Sequence, residues 1–206
     1  MGVRIGVYGQ GSVEISGEEQ GLRIKFEAGG GREGTKPISA EVVLPAKKLG
    51  DLLKVMAGVE GSAGGLYKRT RWVAVMLEDG LRLKMRREEN GEVYEGSIRF
   101  RGRNLLKLYS AIDREKEKVA MIVASFDGGV NIVKSQGSIT VAGEEGAEVI
   151  FGSGLVEVID FIKYRNKFYL PRYKGGMVEI LEGEDGVKIG KVKFGEAELK
   201  VLGALL

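Results

Sequence analysis

Apolar and polar residues alternate in short runs along most of this chain, and glycines separate the runs. A period of two puts one set of side chains on a core face and the other in solvent. Each run therefore predicts a strand, and the glycines predict tight turns between antiparallel neighbours. The first runs are residues 3–7, 13–15 and 22–26, and residues 38–44 follow after the loop 28–37. The period then changes. Leu49, Leu52, Leu53 and Met56 stand at i, i+3, i+4 and i+7, one face of an amphipathic helix, with Pro45 suited to its first turn and Gly58 to its end.

The same order recurs. Residues 71–77, 81–87 and 93–101 read as strands. A helix with Leu105, Leu108, Tyr109 and Ile112 on one face follows, with Asn104 as its cap. A third round runs through 119–126, 130–134, 138–141 and 147–151 into a helix bearing Leu155, Val158, Ile159 and Ile162. Further strand-like runs cover 177–181 and 187–194, and the tail 198–206 fits helix or strand. An amphipathic helix of this length needs a sheet face to cover. The expected fold is α+β, with antiparallel sheets in repeated units of several strands plus one helix, the helices packed on one sheet face. The expected organisation is a single module of residues 1–206 built from repeats at 1–57, 66–114 and 118–166 with terminal strands in 175–206. The glycine-rich segment 58–65 is the expected internal boundary, and 28–37 the expected mobile loop.

Composition removes chemistries from this picture. The chain has no cysteine and no histidine, which excludes disulfides, thiolate nucleophiles and nearly every zinc site, and takes away the commonest general base. The acidic clusters Glu88-Glu89, Glu144-Glu145 and Glu182 to Asp185 all stand beside turn residues, and no nucleophile stands with a base. No catalytic residue, metal or cofactor is expected, although an enzyme using carboxylates and lysines stays open. Four Asn and three Gln among abundant Lys, Arg and Glu give an archaeal-type composition expected of a thermophile. No apolar run is long enough to span a bilayer and no signal-peptide pattern is visible, so a soluble cytoplasmic protein is expected.

Charge adds most. Net charge is +3, but residues 66–103 alone hold ten cations against six acids. In 81–86, Leu81, Leu83 and Met85 alternate with Arg82, Lys84 and Arg86. In 97–101, Ile98 and Phe100 alternate with Arg99 and Arg101. If these strands pair, one open face carries a grid of cations, which either Trp72 or Arg69 and Arg71 on the preceding strand extend. An ordinary solvated sheet face mixes its signs, because like charges directly opposite destabilise a sheet. These two runs do not, which points to a polyanionic partner. A second basic stretch, Lys163, Tyr164, Arg165, Lys167, Phe168, Tyr169, Arg172, Tyr173 and Lys174, interleaves cations with rings. It reads either as a clamp stacking on unpaired bases or as packing with snorkelling basic heads. Gly29 to Lys36 lacks the Gly-Lys-Ser/Thr order of a P-loop, and Gly152-Ser153-Gly154 lacks the third glycine of a dinucleotide fingerprint, since position 157 is Glu157.

Several antiparallel strands followed by one helix, then repeated, is similar to the Whirly and positive-cofactor-four group of single-strand binders. Residues 36–45 running into Leu49, Leu52 and Leu53 look like the last strand and helix of such a unit, and Leu105 to Ile112 after Ile98 to Arg101 like a second copy. The resemblance implies a sheet face that binds single-stranded DNA or RNA, here Arg82, Lys84, Arg86, Arg99 and Arg101, and helices that build oligomers. The leading expectation is a non-enzymatic, sequence-tolerant single-strand binder. The alternative is an assembly subunit without nucleic acid, joined to its partners through the apolar tail Leu199 to Leu206.

Overall fold

The computed structural model describes residues 1–30, 32–165, 172–174 and 177–206, with 172–174 described in backbone only. Among the described residues the fold is α+β, with four antiparallel four-stranded sheets and four α-helices. They fall into two compact units, Met1–Ala120 and Met121–Leu206.

In the first unit, β1 (Val3–Val7), β2 (Gly11–Glu18), β3 (Gly21–Ala28) and β4 (Ile38–Leu44) form one sheet in chain order, followed by α1 (Ala46–Met56). The second sheet is β5 (Ser62–Tyr67), β6 (Thr70–Leu77), β7 (Gly80–Glu89) and β8 (Glu92–Arg101), also in chain order, followed by α2 (Gly102–Glu115) and a 3-10 turn, Lys116–Lys118. Alternation does what it predicts: Val13, Ile15, Ile24, Phe26 and Val42 of the first sheet and Ala74, Leu83, Met85, Ile98 and Phe100 of the second are buried. The helices cover sheets crosswise. α1 follows the first sheet but packs chiefly on β5 and β6, and its Lys48 ammonium donates to the Gly64 carbonyl at 2.9 Å. α2 follows the second sheet and reaches back onto β1 and β2.

In the second unit, β9 (Met121–Ser125), β10 (Asn131–Ser135), β11 (Ser138–Gly143) and β12 (Gly146–Phe151) precede α3 (Gly152–Arg165). β13 (Arg172–Lys174), β14 (Glu179–Gly183), β15 (Gly186–Ile189) and β16 (Val192–Phe194) precede α4 (Glu196–Leu205). The rounds of four strands and a helix thus number four, not three.

Several expectations change with the geometry. Residues 58–65 are no boundary: they hold the turn after α1 and the start of β5, and the division comes after Ala120. β5 lacks an alternating pattern because a large neighbour dictates its residues. Gly65 pairs with Trp72, and a Cβ there would lie 3.1 Å from the indole nitrogen. The run 187–194 is two strands, β15 and β16, broken by a turn at Gly190. Asn104 is not the cap of α2, which starts two residues earlier with Arg101 at the cap position. In α3 the buried stripe is Gly154, Val158 and Phe161, leaving Ile159 exposed. The loop 28–37 is tied down: the Lys36 amide donates to the Val93 carbonyl at 2.8 Å, and the Glu95 amide donates to the Lys36 carbonyl at 3.0 Å. The tail is helical, with Leu199, Val201, Leu202 and Leu205 buried, so it is not an apolar surface awaiting a partner. No described helix is long and apolar enough to cross a membrane.

Candidate nucleic-acid interface

Register fixes what the second sheet shows to solvent. Its core-side rows include Trp72 opposite Met85, Leu83 opposite Ile98, and Leu81 opposite Phe100. Its open side carries the residues between them. Arg71 lies opposite Arg86, and Arg82 opposite Arg99; Lys84 lies opposite Ser97, and Arg101 opposite Gly80. The two runs read as cationic from sequence therefore pair, and their cations share one face. Each of the two Arg–Arg pairs crosses directly from strand to strand.

The other half of this face is apolar. Leu66, opposite Arg71, is exposed, and Val73 and Val75, opposite Lys84 and Arg82, are half-buried. The face is thus divided along its length, with aliphatic side chains on β5 and β6 and cations mainly on β7 and β8. Leu66, Val73 and Val75 escape a search for charge, although their parity with Arg71 places them beside it.

Acids answer only part of the charge. Lys84 pairs with Glu95 at 2.8 Å, Arg86 with Glu88 at 2.6 Å, and Arg101 with Asp79 at 2.8 Å. Arg71, Arg82 and Arg99 have no acidic partner among the described residues. Glu95 corrects the expectation of uniformly positive outward positions, for it lies opposite Arg86 and is only 2 % exposed. The Lys84 ammonium, helped by the backbone N–H of Arg32 at 3.3 Å, holds the Glu95 carboxyl below the usual carboxylate range. The loop between β3 and β4 makes this cover, bridging Gly30 to Gly96 on β8. The approach is so close that a Cβ on Gly96 would lie 2.7 Å from the Ala28 Cβ. It also brings Arg32 to a pocket lined by Arg82, Lys84 and Ser97, a contribution from 50 to 65 residues upstream that no local pattern reveals.

The first sheet offers a comparison within the same unit. Its open face mixes signs, as in the row Arg4, Glu14, Lys25 and Glu41. Arg23 there pairs with Glu18 at 2.7 Å and also with Glu41. The same architecture thus carries a self-neutralised face on one sheet and an unbalanced one on the other.

The remaining expected site residues disperse. Arg69 is exposed in the turn between β5 and β6, at the end of the cationic face. Trp72 is 2 % exposed on the core side and cannot stack on a base. Lys163 and Tyr164 are exposed at the end of α3, with the Lys163 ammonium 5.4 Å from the Tyr164 ring centre. Arg165, 18 % exposed, is held by Glu182 at 2.8 Å and Glu196 at 2.7 Å, so it is a structural ion pair and not a phosphate ligand. Lys167, Phe168 and Tyr169 lie outside the described residues. Arg172, Tyr173 and Lys174 form β13, paired in backbone register with Leu181, Ile180 and Glu179. The tract read as a clamp or as packing therefore begins in a helix and ends in an edge strand. Among the described residues no group of three or more carboxylates is placed to hold a metal ion.

No family model matches the chain, and no curated protein matches it. A solved structure titled as MRP1/MRP2 of Trypanosoma brucei is similar to 55 % of this chain and 82 % of its own, at 14 % identity and a TM-score of 0.45, a likeness too distant to bear on function.

Proposed function

We propose that this chain is a non-enzymatic protein that binds single-stranded DNA or RNA on the open face of the second sheet. The observation that carries the reading is the two directly opposed arginine pairs, Arg71 with Arg86 and Arg82 with Arg99, of which Arg71, Arg82 and Arg99 have no acidic partner among the described residues. Like charges across a ladder destabilise it by up to roughly 1 kcal/mol per pair, so a fold that keeps two such pairs gains something else from them. Phosphates supply it, with release of counterions. The aliphatic half of the face favours a single strand over a duplex. Leu66, Val73 and Val75 offer a surface to unpaired bases, which a duplex keeps inside itself. Similarity of the repeated strand–helix order to the Whirly and positive-cofactor-four group supports the same reading. Contacts to phosphates and to the faces of bases carry no sequence information, so binding is sequence-tolerant.

Anisotropy titration of fluorescein-labelled oligo-dT and oligo-U tests this. With about four phosphates neutralised, affinity falls roughly 50-fold between about 50 and 200 mM salt. Replacing both Arg82 and Arg99 by alanine weakens binding and reduces that salt sensitivity to roughly 7-fold. Absence of binding at the lower salt would refute the proposal.

A further inference from the structure

We propose that the groove between β1 and α2 is a second binding site, which takes an acidic, extended peptide segment of a partner protein as an added strand. β1 is an edge strand of the first sheet. Among the described residues its outer edge receives no backbone hydrogen bond; the only backbone hydrogen bond of β1 outside the ladder is in the turn, where the Gln10 amide donates to the Val7 carbonyl. Alternate residues of Val3–Val7 therefore hold free N–H and C=O groups along a line of five residues, roughly 17 Å long. α2 runs beside this edge. Arg103, Leu106, Lys107, Ser110, Ala111 and Arg114 face it, one stripe at i, i+3, i+4, i+7, i+8 and i+11, roughly 17 Å from end to end.

The groove enclosed is about 500 Å³. Its floor is apolar: Val3 and Ile5 on the strand, Ala111 on the helix, and Leu106, which is 67 % exposed with no apolar cover. Its rim is positive, from Arg4, Arg103, Lys107 and Arg114. Only Arg4 has an acidic neighbour, Glu27 at 3.7 Å; Arg103, Lys107 and Arg114 have none among the described residues.

These features select one kind of occupant. An extended peptide completes the ladder, its alternate side chains reach either the apolar floor or the rim, and the rim demands carboxylates. A nucleic acid satisfies the rim and the floor but cannot complete the ladder, because it carries no alternating N–H and C=O groups at the strand period. The occupant is therefore a polypeptide alternating apolar and acidic residues.

The test uses the full chain and a short acetylated peptide alternating valine with glutamate, beside its valine–lysine counterpart. The acidic peptide is expected to bind, to slow amide exchange in Val3–Val7, and to lose affinity about tenfold or more in Leu106→Asp, an exposed substitution that leaves the core untouched. The double variant Arg82→Ala, Arg99→Ala is expected to bind the peptide normally, which separates this site from the oligonucleotide face. No peptide binding, equal binding of the lysine peptide, or indifference to Leu106→Asp overturns the proposal. So does displacement of the peptide by oligo-dT with loss of protection in β1, which assigns the groove to nucleic acid.

Discussion

Arg82 and Arg99 stand opposite each other with no acid between them, and their proposed role carries a measurable signature. Truncating a phosphate-binding residue usually leaves stability alone. Here Arg99→Ala relieves repulsion, so chemical denaturation is expected to show a gain of about 0.2–1 kcal/mol while oligonucleotide affinity falls. Trp72 predicts the reverse. It is the only tryptophan, so its fluorescence is expected to stay blue-shifted and unquenched by oligo-dT, and Trp72→Ala is expected to cost about 3–5 kcal/mol of stability. Strand alternation made Arg71 and Trp72 alternatives for the open face, and the pairing of Trp72 with Met85 on the core side decides between them. Arg165 was not legible, because Glu182 and Glu196 reach it from elements distant in sequence. Glu95 adds a pH dependence. Its folded carboxyl lies below the ordinary value of 4.5, so its pairing stabilises the fold above that pH and the contribution fades as pH falls through the lowered value. Denaturation in Glu95→Gln is expected to show a shallower loss of stability in that acidic window.

At the scale of elements, alternation and helical spacing identified strands and helices wherever a segment owes its conformation to its own side chains. They failed where a neighbour decides. β5 is a strand because β6 supplies a ladder and because glycine leaves room for the Trp72 indole. The β3–β4 loop is fixed because β8 offers it an edge. That contact depends on Gly96, where an added Cβ would also lie 2.8 Å from the Ala28 carbonyl oxygen and 2.9 Å from the Ile38 Cγ2. Gly96→Ala is therefore expected to destabilise the first unit by about 1–3 kcal/mol, seen as a lower Tm. Because the same contact carries Arg32 to the cationic face, oligonucleotide affinity is expected to fall with it.

Over the whole molecule, the repeated order of strands and helices was legible, but the count of rounds was not, since the fourth round begins within a basic aromatic tract and ends in a helix with no diagnostic pattern. Each of the two units has its own apolar core. The fragment Met1–Ala120 is therefore expected to unfold cooperatively by itself and to bind oligo-dT with the affinity and salt dependence of the full chain; loss of binding would place part of the site in residues beyond it. The crosswise packing of α1 and α2 has a consequence for synthesis. The last strand of the first sheet ends at Leu44, yet the helix that closes over β1 and β2 is complete only at Glu115. At ordinary translation speeds the apolar face of that sheet waits on the order of ten seconds for its cover. A nascent chain that stalls in the second sheet therefore exposes β1 and β2 to chaperones and to neighbouring chains on the same message.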